Sequence, residues 1–255
     1  MHATDEILRA AAEWSWRPRG SREDLGELRL THYPERLGGG VRASQTRSTL
    51  DAADVIAYAL ARSREWGAAE ITFWTNPSDA PDLEPELRRR GAVPVDAVAV
   101  LAAPVDTASV DVPGDVTVEV VRDLAQVRDA DAVNVPVWAQ EPLDERGLRE
   151  ELDDVTVALA TGAGIQVLAR LDGLPVSVGG CTIIDGFVRL WGGATLPGAR
   201  GRGAYRAVLA ERIRLGAAHG ARTALVKGRV ATSAPILRRA GFTQIGEERA
   251  YRLAV

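Results

Sequence analysis

The sequence predicts an α/β (α+β) protein built as two tandem copies of one unit, each a mixed, mostly antiparallel sheet flanked by helices. Three observations carry this. Segments with helical apolar spacing alternate with short β-branched runs. A pattern of elements and glycines recurs along the chain, with Gly67 and Gly220 standing 153 residues apart and Gly91 and Gly241 150 apart. A small, polar, proline-bounded stretch, Ala103 to Asp115, separates the copies as a linker should.

The first copy reads Leu50 to Trp66 as a helix and Gly67-Ala68-Ala69-Glu70 as a turn. Ile71-Thr72-Phe73-Trp74 is then a strand, and Leu87-Arg88-Arg89-Arg90-Gly91-Ala92 closes a short helix on glycine. The second copy repeats this order with Gly203 to His219, Gly220-Ala221-Arg222, Thr223-Ala224-Leu225-Val226 and Leu237-Arg238-Arg239-Ala240-Gly241-Phe242. About three extra residues near Asn76-Pro77-Ser78 account for the change of interval. The expected division is a first domain over 1–105, a linker over 106–114 and a second domain over 115–255.

The second copy can be read further. Val116 to Val121 is a strand by its β-branched content. Leu124 to Trp138 and Glu145 to Leu152 are helical, with Pro136 ending or kinking the first. Ile165 to Leu171, Val176 to Ile184 and Phe187 to Thr195 form an antiparallel meander, because Asp172-Gly173 and Asp185-Gly186 are hairpin turns. A long amphipathic helix follows. It places Tyr205, Val208, Leu209 and Ile213 on one face, with Arg206, Glu211, Arg212 and Arg214 elsewhere.

Composition narrows the function classes. The chain has 255 residues, 46% of them hydrophobic and 26% charged, and a mean hydropathy of -0.07. These values exclude a disordered or fibrous chain. No apolar run approaches the roughly 20 residues of a membrane-spanning helix, so no membrane partner is expected. The polar start Met1-His2-Ala3-Thr4-Asp5-Glu6 does not fit a secretory signal. A single cysteine, Cys181, permits no intrachain disulfide, and a cytoplasmic protein is expected. His2, His32 and His219 are far apart with no metal spacing, so no metal is expected; His219 reads as a cap at a helix end. The net charge is -4, yet residues 195–255 hold 12 Arg+Lys against 3 Asp+Glu, a local +9. A basic tail on an acidic chain suggests one polyanionic ligand at one end, or a set of solvated arginine faces. Nucleic acid is not expected, since no aromatic-basic pattern is present.

That tail contains Leu196-Pro197-Gly198-Ala199-Arg200-Gly201-Arg202-Gly203-Ala204-Tyr205-Arg206. A glycine-rich loop opening a helix gathers free N–H groups at the positive end of the helix dipole and so holds phosphates, or is a turn that merely reverses the chain. Glycine lets the backbone approach the ligand. A Walker loop is excluded because the chain has no Gly-Lys pair. A dinucleotide fingerprint is disfavoured because Arg206 stands where its third glycine would, and because the loop follows an antiparallel meander.

Arg200-Gly201-Arg202-Gly203-Ala204 matches the first five positions of [Q/R]-x-x-G-x-[G/A], read with its flanking meander and long helix, and Ser233 to Phe242 ends a short helix in Gly-Phe. On these motifs residues 115–255 resemble the GNAT superfamily of N-acetyltransferases. The first half resembles the same fold without the loop, since Arg47-Ser48-Thr49-Leu50 replaces the glycines. This pairing of an intact with a degenerate copy is similar to that of mycothiol synthases. The resemblance implies acetyl-CoA as acyl donor, held by backbone groups at Thr195, Leu196 and Gly198 and by the loop from Arg200 through Gly201, Arg202 and Gly203 to Ala204. Tyr205, where the family has glycine or alanine, implies a ring presented to the cofactor or a displaced helix start. Ser233 contacts the cofactor or caps its helix. Gly192-Gly193 marks a β-bulge that admits the thioester or a packing bend.

Two departures concern catalysis. Arg189 stands where some members carry a glutamate base, and Leu237 where many carry the tyrosine acid. Positioning and a strand N–H on the carbonyl remain available, as does a water relay to a remote carboxylate. The candidates for that carboxylate are Glu141, Asp144, Glu145 and Asp185. The acidic run from Glu141 to Asp154 attracts a cationic amine or is a solvated helix face. Cys181 reads as a buried, inert thiol. Trp191 lines an acceptor pocket or joins the core.

The expected function is an acetyl-CoA-dependent N-acyltransferase that acetylates a small-molecule amine by direct transfer in a ternary complex. The alternative is a non-catalytic acyl-CoA-binding or regulatory module. Monomer and homodimer stay open.

Overall fold

The structure is a computed structural model, and it describes residues 1–45, 48–106 and 113–255. Most of the expected linker, and Arg47, lie outside the described residues. In chain order the elements of the first half are α1 (Thr4–Ala12), β1 (Arg22–Asp24), β2 (Arg29–His32), β3 (Val41–Ser44), α2 (Ala52–Glu65), β4 (Glu70–Thr75), α3 (Leu83–Arg89) and β5 (Val93–Pro104). The second half has β6 (Val116–Val120), α4 (Leu124–Trp138), α5 (Glu145–Ala160), β7 (Gly164–Leu171), β8 (Leu174–Ile184) and β9 (Phe187–Thr195). It continues with α6 (Ala204–Ala218), β10 (Thr223–Arg229), α7 (Ser233–Arg239) and β11 (Thr243–Ala254). Among the described residues no helix is long and apolar enough to cross a membrane.

Two compact units result. The N-terminal unit comprises Ala3–Val100, Gly228–Pro235 and Gln244–Val255. Here β1, β2 and β3 are antiparallel neighbours, β4 runs parallel to β3, and β11 pairs antiparallel with β4. The helix α2 buries Ala52, Val55, Ile56, Ala59, Leu60 and Ser63, the stripe that 3.6-residue periodicity dictates. Division of the sequence at 106–114 leaves Gln244–Val255 with the second half, but the structure packs this segment in the N-terminal unit. The reason is strand alternation: Tyr251 and Leu253 both turn into the core of Leu30, Ile56, Ile71 and Phe73.

The C-terminal unit comprises Met1–His2, Leu101–Lys227 and Ile236–Thr243. Its strands β6, β7, β8 and β9 form the expected antiparallel meander, and β10 lies parallel to β9. Both units thus show a meander, a helix and a parallel strand, which is what the internal repeat predicts. The helix α5 runs to Ala160, beyond the expected Leu152. Leu148, Leu152, Val155 and Leu159 continue one apolar stripe against the core, and this packing overrides the low helix propensity of Val and Thr. Pro136 lies within the last turn of α4, which ends at Ala139 in the left-handed region with φ 51°; so late in the helix it breaks only one hydrogen bond.

Candidate functional site

The strand β9 delivers the chain to the glycine loop. Between Val178 and Gly180 of β8 the register with β9 shifts, so that Gly179 faces both Gly192 and Gly193. Gly192 has φ 61°. This is the β-bulge that the glycine pair suggests, and it bends and twists the strand.

After Thr195 a 3-10 turn over Pro197–Ala199 leads into the loop. Gly201 has φ 79° and Gly203 φ 85°, both in the region that glycine enters without strain. Gly203 is the N-cap of α6 and has no side chain to cap with. The first intrahelical bond runs from the Ala207 amide to the Gly203 carbonyl. Among the described residues no backbone or side-chain acceptor takes the amides of Gly201, Arg202, Gly203, Ala204 or Tyr205. These amides lie at the positive end of a 15-residue helix, with Gly201 and Arg202 exposed and Gly203 and Ala204 buried. Arg200 and Arg202 are exposed beside them, with Arg202 3.7 Å from Asp115 and 3.6 Å from Asp172. The two glycines differ in their surroundings. A Cβ at Gly201 would meet nothing within 4 Å, whereas one at Gly203 would lie 2.4 Å from the Pro113 ring.

The other expected contacts are distributed unevenly. Thr195 Oγ1 is 2.8 Å from Ser177 Oγ. The Leu196 amide donates to the Val176 carbonyl at 2.9 Å, so its N–H is already engaged. Gly198 is exposed within the 3-10 turn. Ser233 is the first residue of α7, in the segment that groups with the N-terminal unit.

Three of the four carboxylates have structural positions. Asp144 caps α5, accepting from the Gly147 amide at 2.7 Å. Glu145 takes both contacts from Arg128, at 2.7 and 2.9 Å. Asp185 sits in the hairpin turn at φ 50°, at the end of β9 opposite the loop and roughly 30 Å along the strand. Glu141 is exposed between α4 and α5. Leu237 is fully buried.

One residue was misplaced on the sequence helical wheel. Arg212 is buried at 1% exposure, in the same α6 stripe as Tyr205, Val208 and Leu209. Its guanidinium donates to the carbonyls of Gly180 and Trp191, each at 3.0 Å, and to Val208 at 3.2 Å. A Cβ at Gly179 would lie 2.8 Å from Arg212 Nη1, and one at Gly193 2.9 Å from Tyr205 Cε2. The glycines of the bulge thus make room for Arg212 and Tyr205. The signal was present in sequence, since residue 212 lies seven after Tyr205 and four after Val208 on one helical face. Burial pushes the Tyr205 phenol upward, and Arg212, to which it is hydrogen-bonded, offsets only part of that rise.

Trp191 lies across Gly180 and donates from Nε1 to Thr182 Oγ1 at 3.0 Å; at 38% exposed it is not a core residue. Cys181 is buried, and burial raises its thiol to about 11 despite Arg212 nearby. His219 caps α6, and His2 stacks on Phe187. Among the described residues no group of three His, Cys, Asp or Glu side chains is arranged to hold a metal ion.

In the corresponding turn of the N-terminal unit a side chain caps the helix start. Asp51 caps α2 by accepting from the Asp54 amide at 2.9 Å, and Ser48 donates to the Glu27 carboxylate. A carboxylate already occupies the positive helix end.

No family model and no curated protein matches the chain. Solved structures do. A GCN5-related N-acetyltransferase from Kribbella flavida is 21% identical, with 97% of this chain and 94% of that chain covered at a TM-score of 0.67. Another from Sphaerobacter thermophilus is 16% identical, covering 98% and 85% at 0.66. A tandem GNAT protein from the clavulanic acid biosynthesis pathway is 12% identical, covering 97% and 87% at 0.65. Over nearly its whole length the chain has the fold of the GNAT N-acetyltransferases, in their tandem form.

Proposed function

We propose that the chain is an acetyl-CoA-dependent N-acyltransferase that acetylates a small amine by direct transfer, with the donor held by 115–255 and not by 1–105. The glycine loop from Gly201 to Tyr205 at the start of α6, whose amides find no acceptor among the described residues, carries this reading. A diphosphate suits these amides, because each charge-assisted bond to an N–H contributes about 1.5–3 kcal/mol and no group among the described residues takes them. Arg200 and Arg202 balance the remaining charge. Thr195, Leu196 and Gly198 line the approach. Acetyl-CoA bound there supplies an activated thioester.

The chain's own residues would then orient and polarise. The bulge at Gly192-Gly193 releases strand N–H groups from the ladder, which makes them donors for a carbonyl oxygen. Tyr205 and Arg212 hold the bulge from behind as positioning residues. Of the four carboxylates, Glu141 is the one without a structural duty among the described residues, and it serves as the remote base through water. The acidic α5 draws a cationic amine toward the unit.

A second reading, a non-catalytic acyl-CoA-binding module, draws support from Leu237 and Arg189, which leave the family's acid and base positions without a phenol and without a carboxylate. One experiment separates the readings. Acetyl-CoA is titrated calorimetrically into the intact protein and into Gly201→Asp, and thiol release is followed with a panel of amines. Position 201 is chosen because its Cβ has open space and Asp tolerates positive φ, whereas any side chain at 203 collides with Pro113. Binding in the wild type with at least tenfold loss in Gly201→Asp supports the loop. Turnover supports the enzyme, and binding without turnover supports the module. Equal affinity in both proteins would place the cofactor elsewhere.

A further inference from the structure

The N-terminal unit contains a cavity of about 480 Å³ that the loop reading does not use. It lies between α1 and the residues that follow β3 and β4. Its lining includes Asp5, Arg9 and Glu13 from α1, Gln45 after β3, and Asn76 and Asp79 after β4. Asp5, Arg9 and Glu13 recur every four residues and so share one face of the helix. The size suits a small molecule.

Gln45 is the unusual member. It is 8% exposed, and its Oε1 accepts from Arg29 Nε at 3.3 Å. Its Nε2 is buried with no hydrogen-bond partner among the described residues. A buried donor left unmade costs roughly 1–3 kcal/mol, and such groups in native proteins call for a ligand, a water or a functional reason.

Asp79 is the complementary member. Its two oxygens accept from the Asn76 backbone N at 2.8 Å and from Asn76 Nδ2 at 2.9 Å. A carboxylate has about four acceptor positions, so two remain. Burial raises its carboxyl to about 6, with Glu248 and Glu84 adding to the rise and the Asn76 bonds opposing it. Asp79 is therefore an anion short of positive neighbours. Asp5, Glu13 and Asp79 outnumber Arg9 in the lining, so the cavity favours a cation and disfavours phosphorylated ligands.

We propose that this cavity binds a small ammonium compound that also carries an acceptor oxygen, with the ammonium on Asp79 and the acceptor on Gln45 Nε2. The site belongs to the N-terminal unit alone and does not rest on the cofactor reading of the other unit. No covalent step is involved. An amine seated there satisfies the one buried donor and the one under-compensated carboxylate of the cavity together.

The test is calorimetric titration of the full chain with glucosamine and glycinamide, each an amine with acceptor oxygens. N-acetylglucosamine and acetamide serve as their uncharged counterparts. The variants are Asp79→Asn and Gln45→Gly. Each has a gain to set against the contacts it loses, since the first removes a buried charge and the second suits the φ of 54° at position 45; a thermal melt within a few degrees of wild type checks that both fold. The expected result is saturable binding of at least one amine, at least tenfold weaker binding of its uncharged counterpart, and at least tenfold loss in each variant. The proposal is overturned if neither amine saturates the wild type, if the uncharged compounds bind equally well, or if both variants bind as the wild type does.

Discussion

The buried guanidinium of Arg212 donates to the main-chain carbonyl of Trp191 at 3.0 Å, one residue before the glycine pair that bulges β9. The same nitrogen reaches Gly180 on the facing strand. One side chain from α6 thus ties together the two strands at the point where their register shifts. Arg212→Met keeps the apolar stem but strands these carbonyls without a donor. It is expected to lower unfolding stability by about 2–3 kcal/mol, seen as a lower urea midpoint at unchanged slope. Arg212→Lys should recover part of the loss. A Met variant as stable as the wild type would show that the bulge does not depend on this contact.

Asp79 predicts a particular pH dependence. Its carboxyl is raised to about 6 from an ordinary 3.8, so the folded state keeps this proton longer than the unfolded chain. Linkage then makes its contribution most favourable below about pH 4, with loss as pH rises toward 6 and a plateau above. Asp79→Asn should therefore gain on the wild type by on the order of 2 kcal/mol between pH 4 and pH 7. Urea unfolding of both proteins at the two pH values measures it. A constant difference would mean that Asp79 ionises normally.

The last strand holds the N-terminal unit together. Tyr251 donates to Glu84 at 2.8 Å and is contacted by Arg88, and Thr75 donates to the same carboxylate at 2.7 Å. Burial alone would raise Glu84, but these hydrogen bonds and the Arg249 and Arg88 charges bring it below its ordinary value. Truncation after Thr243 removes Tyr251 and Leu253 from the core and leaves β4 with an unpaired edge. The truncated chain should lose protection from limited proteolysis within residues 3–100. Tyr251→Phe should be milder, costing about 1–2 kcal/mol.

Cys181 should be chemically silent in the folded protein. Burial places its thiol at about 11, so little thiolate exists at pH 8, and the side chain is not accessible. A disulfide reagent such as Ellman's should label it only after denaturation. Fast labelling of the native protein would require an opening of β8.

How much of this was legible beforehand follows from local physics. The loop glycines and the meander turns at Asp172-Gly173 and Asp185-Gly186 are readable, because positive φ and open helix ends demand particular residues in place; at Gly192-Gly193 the sequence leaves a bulge and a packing bend open, and the strand register decides for the bulge. The helical stripe marks position 212 as inward-facing, but a cation is assigned outward unless its carbonyl partners on distant strands are known. The pairing of β11 with β4 is not readable, because a strand's alternation marks its two faces and not its neighbour. Gln45 and Asp79 lie 34 residues apart in sequence and carry no shared motif.

By itself, the sequence determined the two-copy α/β architecture, the glycine-rich loop in only one copy, and a stripe-forming helix behind it. These depend on periodicity and backbone conformation, which act over a few residues. Only the tertiary structure decided which strand completes the N-terminal unit, what the bulge glycines make room for, and where a polar cavity opens beneath α1. Those depend on which side chains meet across the fold, and that is set by burial summed over the whole core.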